Sequence, residues 1–292
     1  MRRYLLVALL PTGLSVIAAA TALAARRASA TRVPVAAGPT ALPDIAEELG
    51  RGVLKSAVAA IDRKPGGVTS AKSEILPGLV RLGALTGVGG LVAYNIMAKL
   101  GPPIVKHGLA IDEPVFKWTE SHKVDWWTKD VARFNSIGNT WSTWGAVASA
   151  AACLSISWHR QRWLPPSALG AAILVDYLST HRLHRTIKRP GPPTSPEGTY
   201  PSGGTDRVVL FYGLIAYLLW AEFDGSHPGR VWTVGGVSGL AFLTAYCRQY
   251  LGEHWFIDIV CGVVYGGMLL APIVVAVEQI TGRANRSVTA SA

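Results

Sequence analysis

Two groupings that often announce a catalytic metal or a covalent framework are missing from this chain. Its 18 Asp and Glu residues, spread over 292 positions, form no carboxylate cluster suited to magnesium. Cysteine is equally sparse. Cys153, Cys247 and Cys261 all fall in apolar segments, odd in number and without paired spacing, and imply neither a disulfide framework nor a zinc site. Charge of either sign is scarce, at 16% of residues. What fills the chain is apolar: half the residues are hydrophobic, ten are Trp, and the mean hydropathy is +0.30. Those values describe a membrane protein. The net charge of +10 does not point to nucleic acid, because the basic residues stand in short clusters between apolar stretches and beside Trp. Anionic lipid or a phosphorylated substrate is the partner such a pattern fits.

The hydropathy pattern divides the chain into four parts. Residues 1–27 hold an apolar stretch bracketed by Arg2-Arg3 and Arg26-Arg27, long enough to span a bilayer and read as an uncleaved anchor, although its small residues also resemble a signal peptide. Residues 28–74 read as a polar linker or surface helix, with an amphipathic segment around Ile45 to Ile61. From 75 to 282, apolar spans at about 75–100, 141–158, 167–185, 208–223, 231–251 and 255–279 predict an all-α bundle of six membrane helices. Residues 283–292 read as a flexible tail. Antiparallel spans bring the long connections, 101–140 and 186–207, to the same face as the turn after Arg248. Trp118, Trp126, Trp127, Trp141 and Trp144 place the segment 101–140 at headgroup level, as an interfacial segment or an ordinary aromatic belt. Lys and Arg divide evenly between the two faces. Setting aside three arginines that look committed to a site (Arg182, Arg189, Arg248) turns the long-loop face outward, to the extracytoplasmic side of a plasma membrane.

Polar residues interrupt the apolar runs at three places on that face. In Cys247 to Asp258, Arg248, His254 and Asp258 stand in otherwise apolar sequence. His254 and Asp258 are four residues apart, so a helix would put them one turn apart on one face. An aspartate so placed accepts the Nδ1 proton of the imidazole and leaves Nε2 bare as nucleophile or base. Arg248 would hold an anion beside it. The plainer reading is a helix-end ion pair. In Thr180 to Pro193, Arg182 and Arg189 are seven apart, two turns, and share a face if the helix runs on to Pro190. The plainer reading there is a basic cluster for lipid headgroups. In Tyr200 to Arg207, Ser202 with Gly203 and Gly204 makes an anion cradle or merely a turn. Asp176, inside the third span, reads as a packing contact between helices in preference to a proton relay.

Arg182-x6-Arg189-Pro190, Pro201-Ser202-Gly203 and Arg248-x5-His254-x3-Asp258, in that order and each at the end of a membrane helix, resemble the type 2 phosphatidic acid phosphatase superfamily. That family's pattern is Lys-x6-Arg-Pro, Pro-Ser-Gly-His and Ser-Arg-x5-His-x3-Asp. The resemblance implies a metal-independent membrane phosphatase with no cofactor. His254 would form a phosphohistidine and Asp258 would orient it. Arg189 and Arg248 would clamp phosphoryl oxygens with Arg182 in the place of the family's lysine, while Ser202 and Gly203 would add hydrogen bonds. Phosphoryl transfer asks little more than positioning and neutralised equatorial oxygens, which three guanidiniums supply.

Three positions depart from the pattern: Arg182 for lysine, Cys247 for serine, and Gly204 for the histidine that protonates the leaving group. The last implies that the leaving group needs no proton, as with an isoprenoid-type lipid diphosphate, or that Asp206, Glu197 or His184 supplies one. A third possibility is that the protein binds or translocates a lipid phosphate without cleaving it. A phosphotransferase that passes the phosphoryl group to an alcohol is a further alternative. The soluble vanadium haloperoxidases of the same superfamily do not fit six apolar spans.

Overall fold

Long apolar runs in a bilayer can satisfy their amides only within the run, so each becomes a helix. The computed structural model describes residues 71–158, 161–195, 200–223 and 227–282, and among them every regular element is helical. In order these are α1 (Ala71–His107), α2 (Leu109–Ser121), α3 (Asp125–Asn135), a 3-10 turn (Ser136–Gly138), α4 (Thr140–Ser157) and α5 (Leu164–Thr186). Then come α6 (Gly203–Arg207), a π-helical turn (Val208–Tyr212), α7 (Gly213–Phe223), α8 (His227–Leu251) and α9 (Phe256–Thr281). The anchor and most of the linker expected before α1, and the tail, lie outside the described residues.

Among the described residues the helices cover each apolar stretch from residue 75 onward, with two shifts. α1 continues to His107, and the segment expected as one interfacial loop is itself helical, as α2 and α3. Two helical stretches, Ile75–His107 and Phe256–Thr281, are long and apolar enough to cross a membrane. The distribution of polarity supports an integral membrane protein. Leu76, Ile156 and Phe242 face outward at 69, 72 and 69% exposure. Asp112, Asp176, Arg189, Asp206 and Asp258 are all buried. Such an inversion suits lipid, which welcomes the apolar surface and forces the charges inward to pair.

Small residues set how closely the helices approach. A Cβ on Gly89 of α1 would stand 2.3 Å from Cγ of Pro272, and one on Gly90 would stand 2.2 Å from Cγ2 of Val175, so α1 lies against both α9 and α5 only because these positions lack side chains. Leu82, Met97, Leu169, Leu214 and Leu269 fill the core between these helices and α7. The long connections gather at one end of the bundle, where the polar groups meet.

Candidate active site

The last of the three motifs is built on a broken helix. α8 ends at Leu251, and Gly252 turns the chain with φ +71°, a conformation that glycine adopts without Cβ strain. The Gly252 and Glu253 amides donate back to the Gln249 and Arg248 carbonyls at 3.1 and 3.0 Å. Trp255 is extended (φ −70°, ψ 149°) and caps α9, which starts at Phe256. His254 therefore stands outside the helix that holds Asp258. The one-turn spacing on a single helix face expected from the sequence does not form, because Gly252 and Trp255 interrupt the helix between Arg248 and Asp258. Trp255 Nε1 donates to the Pro190 carbonyl at 2.8 Å and so fastens the turn to the end of the Arg182–Pro190 motif. Asp258 falls in the first turn of α9, where the helix dipole favours a carboxylate.

Arg248 and His254 meet directly. Nη1 of Arg248 is 2.7 Å from Nε2 of His254. A guanidinium can only donate, so the neutral imidazole accepts at Nε2 and carries its proton on Nδ1, the tautomer a Nε2 nucleophile requires. Glu253 Oε2 lies 3.4 Å from the same guanidinium nitrogen, and Glu253 Oε1 accepts from Asn135 Nδ2 of α3 at 2.7 Å. Nε of Arg248 is buried without an acceptor among the described residues.

A second cluster surrounds Arg189, which is 2% exposed. Its Nη1 donates to Oδ1 of Asp258 and its Nη2 to Oδ2 of Asp112. The other oxygen of Asp112 accepts the Ile257 amide at 2.9 Å. One buried carboxylate on α2 thus holds both the arginine of the first motif and the first turn of α9. Arg182 takes no part in this cluster. α5 stops at Thr186, and Ile187 leaves the helix with φ −102° and ψ 89°, so Arg189 lies beyond the helix and points inward while Arg182 stays exposed. The shared face expected for the two arginines is absent for that reason. Arg182 instead lines one end of an apolar groove between α1 and α5, with Gly83, Gly87, Leu91, Leu174 and Leu178.

The loop Tyr200–Arg207 lies between these clusters. Ser202 is fully buried, its amide donates to the Asp258 carbonyl at 2.9 Å, and its hydroxyl is 3.0 Å from that of Thr205. The α9 helix comes close beneath the loop at Gly262 and Gly266, where a Cβ would stand 2.6 and 2.4 Å from the Ser202 and Asp206 carbonyl oxygens. Gly204 faces Arg248: a Cβ there would lie 2.1, 2.2 and 2.4 Å from Nη2, Cζ and Nε of the guanidinium.

Of the residues considered as substitute proton donors, Glu197 lies outside the described residues. His184 donates Nε2–H to the Pro201 carbonyl at 3.1 Å, which commits it to holding the loop. Asp206 is wholly buried and faces α5, with Thr180 Oγ1 3.4 Å from its Oδ2. Burial, reinforced by the Asp176 carboxylate, pushes the Asp206 carboxyl well above the usual carboxylate range. Asp176 itself accepts from Thr180 Oγ1 at 2.9 Å and from Arg207 Nε at 3.3 Å, the contact between helices expected of it. Arg207 also donates to Thr140 Oγ1 at 2.9 Å.

Sequence reasoning missed Asp112, Glu253, Asn135 and Arg207. Asp112 belongs to an Asp-Glu pair in an ordinary amphipathic segment, and only its burial marks it. Glu253 adjoins His254 and was open to notice. Among the described residues, no three His, Cys, Asp or Glu side chains converge as a metal site would require.

A family model described as the PAP2 superfamily matches residues 87–281. A solved structure, that of the first transmembrane PAP2-type phosphatidylglycerolphosphate phosphatase from Bacillus subtilis, is similar with a TM-score of 0.54 at 21% identity. The match covers 64% of this chain and 92% of that one. At that identity the likeness establishes the fold. No curated protein matches.

Proposed function

Since this chain belongs to the PAP2 superfamily, we propose that it is a membrane phosphatase that hydrolyses a lipid diphosphate of the isoprenoid type through a phosphohistidine on His254, without a metal. The observation that carries this reading is the Nε2 of His254, held as an acceptor 2.7 Å from a buried guanidinium. A nucleophile and a cation that matches phosphoryl oxygens stand side by side at one end of an apolar bundle. A fold shared with a phosphatidylglycerolphosphate phosphatase agrees with a phosphorylated lipid as substrate.

In the proposed reaction, Nε2 attacks the terminal phosphorus and Arg248 moves from the imidazole onto the phosphoryl oxygens. Asp258 orients the ring and stabilises the charge it gains. Arg189, tied to Asp112 and Asp258, contributes its positive field and holds the first turn of α9 in register. Ser202 fixes the loop against α9 through its amide, and Ser202 and Gly203 add hydrogen bonds from the loop to the phosphoryl oxygens. Arg182, exposed at the groove between α1 and α5, meets the lipid headgroup at the surface. The bundle crosses the membrane six times and opens this end to the extracytoplasmic side of the plasma membrane.

The diphosphate preference follows from Gly204, where the family's proton donor is absent. A general acid is typically worth about a hundredfold to ten-thousandfold in rate, so without one an alkoxide leaves slowly and a phosphate does not. The test is phosphate release by purified, detergent-solubilised protein, with no added metal, from a prenyl diphosphate and from phosphatidic acid. Release that His254→Ala abolishes supports the reading. Release that appears only when an alcohol acceptor is added identifies a phosphotransferase, and lipid-phosphate binding that survives His254→Ala without any turnover identifies a binding protein.

A further inference from the structure

The side chain missing at position 204 and the guanidinium of Arg248 occupy one space. A methyl group on Gly204 would fall within 2.1 to 2.4 Å of three guanidinium atoms, far inside van der Waals contact. Glycine here therefore leaves no hole, because Arg248 lies across the loop and fills the volume a side chain would take. From that position it reaches Nε2 of His254 at 2.7 Å. Its Nε remains a buried donor without an acceptor among the described residues, in a residue only 8% exposed overall. A buried donor without a partner carries a desolvation penalty that an incoming oxyanion relieves.

We propose that Gly204 is a specificity determinant of this site. The side chain it lacks makes the room in which Arg248 stands against His254 and from which it passes onto the phosphoryl oxygens of the substrate, so that a cation stands where the family carries a proton donor. The proposal rests on the phosphatase reading and names the pair of residues that sets the substrate class within it. A guanidinium does not give up its proton at any working pH, so it assists departure only by neutralising oxygens. The leaving group must then be stable as an anion. A phosphate meets that condition, with a second pKa of about 6, and an alkoxide does not.

The chemistry balances without a protein acid. Nε2 of His254 forms a bond to the terminal phosphorus while the bond from that phosphorus to the bridging oxygen breaks. The bridging oxygen leaves on the lipid monophosphate as part of a phosphate anion. Water then attacks the phosphohistidine: its oxygen and one proton depart as inorganic phosphate, its other proton is released to solvent, and Nε2 is regenerated. The sum is lipid diphosphate plus water giving lipid monophosphate plus phosphate.

The experiment compares farnesyl diphosphate with farnesyl monophosphate, which share one tail, using the full-length chain in detergent. The wild type is expected to favour the diphosphate in kcat/KM by at least about a hundredfold, the lower bound for a missing general acid. Gly204→Ala displaces the far end of a flexible side chain and so spares the fold. It is expected to lower diphosphate kcat/KM at least about tenfold, with an unchanged melting temperature, because it moves the cation out of reach of the phosphoryl group that Nε2 attacks. Gly204→His is expected to raise monophosphate turnover and to give it an alkaline limb near the histidine pKa of about 6.5, which the wild type lacks on the diphosphate. A wild type that cleaves both substrates alike, or a Gly204→Ala variant that matches the wild type, overturns the proposal. The wild-type ratio decides by itself if the variants do not fold.

Calorimetric binding of imidodiphosphate separates this proposal from the phosphatase reading. If the wild type releases phosphate from neither substrate, that reading fails. The pairing of Gly204 with Arg248 still stands if Gly204→Ala weakens imidodiphosphate binding about tenfold, and falls if the two proteins bind it equally or not at all.

Discussion

Asp112→Asn is the sharpest probe of how the site is held together. The asparagine keeps the shape of the side chain and an oxygen that can accept the Ile257 amide, now 2.9 Å from Oδ1. What it removes is the charge opposite Arg189, one of two carboxylates that flank a guanidinium only 2% exposed. Breaking a buried ion pair by taking away one partner costs about 3–5 kcal/mol. Because Asp258 still faces Arg189, the lower end applies, about 3 kcal/mol. For a chain of this size that is a fall in melting temperature of about 6–12 °C. Asp112→Ala also orphans the Ile257 amide, which adds about 1–3 kcal/mol. Thermal unfolding of the detergent-solubilised variants, followed by Trp fluorescence, reads both. The reasoning fails if Asp112→Asn melts within about 2 °C of the wild type, or if the alanine variant is the more stable of the two.

Two other perturbations test separate parts of the account. The Asp206 carboxyl is pushed up by burial and then by Asp176, so the folded protein keeps a proton at pH values where the unfolded chain, with a carboxyl pKa of about 4, has lost it. Its contribution to stability is full below that pH and is lost as pH rises through the folded value. The melting temperature of the wild type should therefore decline between pH 5 and pH 9 more steeply than that of Asp206→Asn, and parallel curves would contradict the assignment. Gly252→Ala places a side chain at φ +71°, with its Cβ 2.6 Å from Thr194 Oγ1. Left-handed backbone costs a non-glycine residue about 1–2 kcal/mol, and the turn that delivers His254 shifts with it. Activity should fall further than the few degrees lost in melting temperature, and a variant that keeps full activity would mean that the turn does not position His254.

Much of the architecture was legible from hydropathy alone. Among the described residues the apolar runs from residue 75 onward lie in helices over nearly the expected ranges, and residues of the three polar interruptions come together, Arg189 and Ser202 with Asp258 and Gly204 with Arg248. Their internal geometry was not legible, because it depends on where helices stop. Spacing alone places His254 over Asp258 and Arg182 over Arg189 if the backbone stays helical throughout. Gly252, Trp255 and Ile187 end the helices earlier, and so the arginine of the first motif turns inward to two carboxylates while Arg182 stays outside. Gly252 was visible as a stop signal in the sequence. Ile187 carries no such mark. Asp112 was hidden for a different reason: its role comes from contacts with residues 77 and 145 positions away, and nothing in its own neighbourhood reports them. Gly204 reads in the sequence as a loss. Only the position of Arg248 reveals that the space is used.

The central claim is that His254 carries the phosphoryl group. Its most direct test is capture of that intermediate. The purified protein is mixed with a prenyl diphosphate labelled at the terminal phosphorus, quenched in alkali, which spares phosphohistidine, and digested for peptide mapping. The account predicts label on the peptide that contains His254, absent from His254→Ala together with turnover. Turnover without label at His254, or a His254→Ala variant that still releases phosphate, would contradict it.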